Sequence, residues 1–198
     1  MATQENRSMV SETYICNKAL SRIGGTRITS LDDNGQYAEW CRDNYAVSRD
    51  AVLEERMWTF ATDRRASTTA DLSEWGNQYK HAIPLDWISV FRVFCDQNGS
   101  QAKWVREGRF VLADVPTVYM WGIKRVVDTG YFSPMFIEVL AERMAADMAV
   151  PLTGDHKKAA YHWQLYQAKL SDAAARDGQQ GRNEQIKSNS LIEARGGC

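Results

Sequence analysis

The chain is poor in the features that most directly announce a chemistry. It has only four cysteines in 198 residues, and they form neither a CxxC clamp nor the dense framework of a small disulfide scaffold. Cys16 and Cys41 fall on ladders expected to face inward, Cys95 ends an apolar strand, and Cys198 is the last residue, so reduced, structural thiols are expected. No apolar run approaches the ~20 residues that a membrane span needs. The opening MATQENRSMVSE is polar where a secretory signal is apolar, so a soluble, non-exported chain is expected. A net charge of −1 leaves no basic surplus, and no segment carries a Lys/Arg run. That weighs against a stable grip on nucleic acid through many phosphate contacts.

Catalytic grammar is also missing. There is no GxSxG, no cysteine with a recognisable histidine partner, and no glycine-rich loop running into Lys-Ser or Lys-Thr. His156 and His162 lie six apart, which sends them to different faces of a helix and rules out an i, i+4 zinc pair. His81 stands alone. The adjacent acids Asp32-Asp33 and Glu54-Glu55 point different ways, whereas a glycosidase needs two carboxyls facing each other across a cleft. No catalytic residue, metal ligand or cofactor site is therefore expected.

What is present is periodicity. Ile15, Cys16, Ala19, Leu20 and Ile23 recur at helical spacing and stop at Gly24-Gly25, a pair suited to the left-handed turn that ends a helix. Ala38, Cys41, Tyr45, Ser48 and Val52 make a second ladder, closed by Trp58 and Phe60, with Ser30, Asp32 and Asp33 placed to cap it. After Arg65 the text turns polar (ASTTADLSEWGNQ). Beyond it Trp87 to Cys95 alternates like a strand and runs into Asn98-Gly99, a hairpin signal. Gln101 to Arg106, Arg109 to Ala113 and Thr117 to Ile123 would complete a four-stranded meander. Ser133-Pro134 opens a third helix that Pro151 closes, and a fourth starts at Thr153 or Asp155, with Ala159, Trp163, Tyr166, Leu170 and Ala173 on one ladder.

The expected fold is thus α+β and mainly α: an antiparallel four-helix bundle with an inserted small antiparallel β-meander and an extended C-terminal arm. Its divisions would be 1–65, the first half of the bundle; 66–130, the inserted β subdomain; 131–175, the second half; and 176–198, an arm too polar to build a core. Among the seven tryptophans, Trp58, Trp87, Trp104 and Trp163 sit on apolar faces and are expected in the core. Trp40, off its ladder, and Trp75, in the polar stretch, are candidates for an interface with another subunit or protein.

The order of ICNKALSRIGG, SLDD, CRDNY with SRD, and ERMWTFATDRR resembles the tail tubular protein A family, the head-to-tail adaptors of short-tailed bacteriophages. The likeness continues more weakly through IPLDWISVFRV, WVREGRFVLAD and FIEVLAERMAADMAVPLTG, spanning roughly residues 15–170. It implies a virion protein of the head–tail junction, made in the host bacterial cytoplasm. It would act as a homo-oligomer, a dodecameric ring, joining the portal protein to the tail nozzle protein. Such a ring helps retain the packaged genome and lets double-stranded DNA pass at ejection, with no membrane partner and no enzymatic step. On that likeness, Arg182, Ile186, Leu191 and Ile192 are candidates for a portal-docking arm. The alternative is a tail-associated cell-wall hydrolase, for which Glu54 and Glu55 would be the residues to test.

Overall fold

A computed structural model describes residues 10–74, 76 and 78–180. They divide into two compact units: a helical unit built from residues 10–56 and 126–180, and a β unit built from residues 57–125.

In the helical unit, α1 (Glu12–Ile23) is capped by Ser11, whose hydroxyl accepts the Tyr14 amide at 3.1 Å, and ends on Gly24 at φ 78°. A side chain here would be strained, which is why glycine stands at this stop. The turn that follows is held by a side chain acting as backbone. The Asn17 amide donates to the Ile28 carbonyl and accepts the Ile28 N–H, both at 2.8 Å and both buried. Asp33 does not cap the second helix as expected. It closes its own loop, accepting the amides of Ser30 and Thr29, and these bonds hold its carboxyl below the usual range. Then α2 (Gln36–Glu54) follows Gly35, which makes no side-chain cap bond.

Ser133 caps α3 (Pro134–Thr153) through the Phe136 amide, and Pro134 occupies the first turn. Pro151 lies inside the last turn and the stop comes at Gly154. Asp155 accepts the amides of Lys157 and Lys158 at the start of α4 (His156–Gln180). Helix α3 is the axis of this unit: α1, α2 and α4 each pack along it, whereas α1 and α2 meet only lightly. It is apolar nearly all round, with Phe136, Val139, Leu140, Ala141, Met144, Ala145 and Met148 fully or almost fully buried. Cys16 and Cys41 are buried free thiols, and their mutual hydrogen bond together with burial pushes the Cys16 thiol far above its ordinary value. Cys95, expected reduced, is disulfide-bonded.

The expected small meander is contradicted. The β unit holds six strands in two three-stranded antiparallel sheets, so the chain is not a helical bundle with one minor insertion. The strands are β1 (Thr62–Thr68), β2 (Tyr79–Ala82), β3 (Trp87–Phe94), β4 (Trp104–Glu107), β5 (Phe110–Ala113) and β6 (Thr117–Lys124). One sheet runs β1-β6-β3 and the other β2-β5-β4. Of the named strands only β4 and β5 pair as neighbours in sequence; β3 meets its expected return segment only in a short Phe94–Gln101 bridge and pairs along its length with β6. The reason lies in the apolar pattern of β6, whose Val118, Met120 and Gly122 turn inward to meet Val90, Val93 and Trp87. That strand needs a partner on each side. β1 and β2 escaped notice because they bury little: TDRRAST has no buried position, and YKHA buries only His81. The C-terminal arm from residue 181 onward lies outside the described residues, and α4 runs past the expected boundary at 176 to Gln180.

The tightest fit in the β unit is at Gly122. A Cβ there would sit 2.3 Å from the Ser89 carbonyl oxygen and 2.5 Å from the Trp87 ring. Gly122→Ala is therefore expected to destabilise the chain by about 2 kcal/mol through forced separation of β3 and β6. Urea unfolding followed by tryptophan fluorescence measures it; a midpoint equal to wild type would show that the two strands part freely.

Candidate functional site

The most concentrated set of ionisable groups lies in the helical unit. Glu142 is 2% exposed in the middle of the apolar α3. An isolated carboxylate buried there would cost several kcal/mol, so it needs partners. Lys169 of α4 donates to its Oε1 at 2.8 Å, and His162 Nδ1 lies 2.9 Å from its Oε2. Arg22 of α1 is 3.5 Å away. One turn earlier, Glu138 receives Arg22 at 2.6 Å and Lys169 at 3.2 Å, and also pairs with Lys18. The other nitrogen of His162 meets the Arg22 carbonyl at 3.3 Å. Both ring nitrogens thus lie against oxygens of this chain.

Burial by itself would raise the Glu142 carboxyl. The hydrogen bonds from Lys169 and His162, with the charges of Arg22 and Lys169, outweigh it and hold the group below the usual glutamate range. Glu138 is lowered for the same balance of reasons, with Lys18 and Lys169 as its strongest donors. Every oxygen of Glu142 is occupied by a partner of this chain, so the cluster is a fastener between α1, α3 and α4 and leaves no free base or open coordination position. Among the described residues no group of three or more His, Cys, Asp or Glu is arranged to hold a metal. No described helix is long and apolar enough to cross a membrane.

The other tempting residues have settled roles. His81 is fully buried, with Ser67 Oγ at 3.3 Å and the Val115 carbonyl at 3.0 Å on its two nitrogens. Glu54 is exposed, and Glu55 pairs with Arg143 at 3.4 Å. Asp32 is exposed while Asp33 closes its loop.

Of the predicted interface residues, Trp40 is half-buried on α2. Trp75 lies outside the described residues, as do Arg182, Ile186, Leu191 and Ile192. Trp58 and Trp87 are buried as expected and Trp104 packs against the β core. Trp163 is not core: it is 41% exposed beneath the Arg143 guanidinium, 5.1 Å from its ring centre, because Tyr166 and His162 take the inward positions of α4. Sequence reasoning missed the large apolar side chains left outside on the helical unit, among them Val47 on α2 at 69% and Tyr161 on α4 at 58% exposure. It also missed the charged cluster. The one available signal was a pair of glutamates four apart inside a mostly apolar helix.

Neither a protein-family model nor a curated protein matches the chain.

The cluster makes a pH prediction with a definite sign. Glu138 and Glu142 titrate lower in the folded than in the unfolded chain. Their stabilisation is complete above the unfolded glutamate value, about 4.3, and is lost as pH falls from there through the lowered folded values. Glu142→Gln is expected to cost on the order of 3 kcal/mol at neutral pH and to flatten the loss of stability below pH 5. Urea titrations at stepped pH read both effects. An unchanged acid slope in the variant would mean that the cluster contributes nothing to folding.

Proposed function

We propose that the chain is a structural subunit of a short-tailed phage tail, an adaptor that assembles as a dodecameric ring between the portal and the nozzle and leaves a passage for double-stranded DNA. The observation that carries this reading is the pattern of words shared with the adaptor family, taken together with where their polar residues fall. Asn17 and Arg22 of ICNKALSRIGG, Asp33 of SLDD, and Glu138 and Glu142 of FIEVLAERMAADMAVPLTG all spend their polar atoms inside the helical unit. The likeness therefore rests on residues that hold shape, which suits a protein that acts through its surfaces. A cyclic ring presents two different patches to its two neighbours, and the exposed Val47, Tyr161 and Trp163 supply apolar area that the unit's own core does not use. Retention of the packaged genome and placement at the head–tail junction follow from the same proposal.

The test mixes the purified chain with the portal ring of its own phage and examines the mixture by sedimentation and negative-stain imaging. A cap of added density on the portal is expected, and deletion of residues 177–198 is expected to weaken its attachment. Val47→Glu should reduce ring closure while shifting monomer stability by no more than about 0.5 kcal/mol, since the position is exposed. A chain that neither co-sediments with the portal nor closes into rings on it is not an adaptor.

A further inference from the structure

The outer face of the β1-β6-β3 sheet carries an arrangement that neither the fold nor the adaptor role uses. Cross-strand register sets Arg64, Trp121 and Arg92 in one row and Ala66, Tyr119 and Phe94 in the next. The Arg64 and Arg92 guanidiniums lie 4.5 and 5.3 Å from the centre of the Trp121 ring. Both arginines are exposed, and neither is paired with a carboxylate of the described residues, in contrast to Arg65, which is held by Asp63 and Asp86. The acid that lines the groove, Asp96, spends both oxygens inside its own turn on Ser100 and Asn98. The Trp121 indole N–H is shielded from solvent and has no hydrogen-bond partner. In the second row the small Ala66 leaves space beside Tyr119, and a groove of about 510 Å³ opens there, rimmed by the amides of Gln97, Asn98 and Gln101.

Two uncompensated cations about one ring form a local field that favours an anion. A lone carboxylate would answer the guanidiniums, but it would leave the Tyr119–Phe94 row and the amide rim without a role. A nucleotide answers all three: phosphates for the arginines, a base face for the partly exposed aromatic row, and a hydrogen-bonding edge for the amides. A base-paired duplex hides its base faces, so a flat aromatic row selects unpaired nucleotides. We propose that this groove binds a short stretch of single-stranded nucleic acid, with Arg64 and Arg92 on the backbone and Tyr119 and Phe94 stacking on the bases. The absence of a basic run in the sequence is no obstacle. The two arginines stand on β1 and β3 and become neighbours only through β6.

The inference does not rest on the adaptor role, and its test needs no portal. Fluorescence anisotropy of a labelled twelve-nucleotide oligothymidylate is followed as the full-length chain is added at low salt, with a duplex of equal length in parallel. Binding is expected with a Kd on the order of 10 µM, several-fold tighter for the single strand than for the duplex. Arg64→Gln combined with Arg92→Gln should weaken it about tenfold and reduce the salt dependence by roughly one phosphate or more. Tyr119→Ala should weaken it about tenfold without altering the salt dependence. Lys80→Gln, on β2 in the other sheet, should change nothing. These positions are at least partly exposed, and far-UV circular dichroism checks that each variant is folded. No binding, equal binding of the duplex, or affinity unchanged in the double arginine variant would overturn the proposal.

Discussion

A carboxylate buried in an apolar helix constrains the helical unit more than any other group. Glu142 cannot remain charged inside α3 unless cations reach it, and those cations come from α1 and α4. Apolar packing alone tolerates small rotations and slips of one helix along another, since methyl groups are nearly interchangeable. Hydrogen-bonded charge does not. Arg22 and Lys169 each bridge Glu138 and Glu142, and this spacing sets the height of α1 and of α4 against α3 to within a fraction of a helical turn. The remaining apolar surface of α3 is then free to receive α2.

The β unit solves a different problem. β6 has apolar residues on its inward face and must be flanked on both sides, and the strands that flank it, β1 and β3, come from well before it in the unit's own sequence. Close approach of β3 to β6 is possible because Gly122 places no side chain between Ser89 and the Trp87 ring. Trp87 is tied in turn to β1, its indole N–H donating to Asp63 at 3.1 Å. One glycine and one tryptophan thus register three strands. The same register lines up Arg64, Trp121 and Arg92 on the opposite face, so the groove is a by-product of the pairing that makes the core.

The helices were legible because each carries its own signal. Gly24 marks a stop, Ser133-Pro134 a start, and the ladders of α1 and α2 name the residues that are in fact buried. The ladder of α4 holds at Tyr166 and Ala173 and fails at Trp163, because Trp163 and His162 compete for the inward side, and hydropathy favours the tryptophan while the buried Glu142 favours the histidine. Only the partner helix reveals which wins. Four strands were located from alternation and turn residues, but their partners were not, because local text rewards hairpins between neighbours while burial rewarded the distant pair β3–β6. β1 was hidden altogether, since an edge strand with no buried side chain looks like a polar linker.

By itself the sequence determined where most regular elements begin and end, that two alternations of different period are present, and that no familiar catalytic motif occurs. Those properties depend on residues within a few positions of one another. The tertiary structure decided which strands pair, that there are two sheets, that six ionisable side chains from three helices make one cluster, and that two arginines 28 positions apart flank a single ring. The physical reason is range: capping and periodicity act over one or two turns of chain, whereas burial of charge and pairing of strands join groups that only folding brings together.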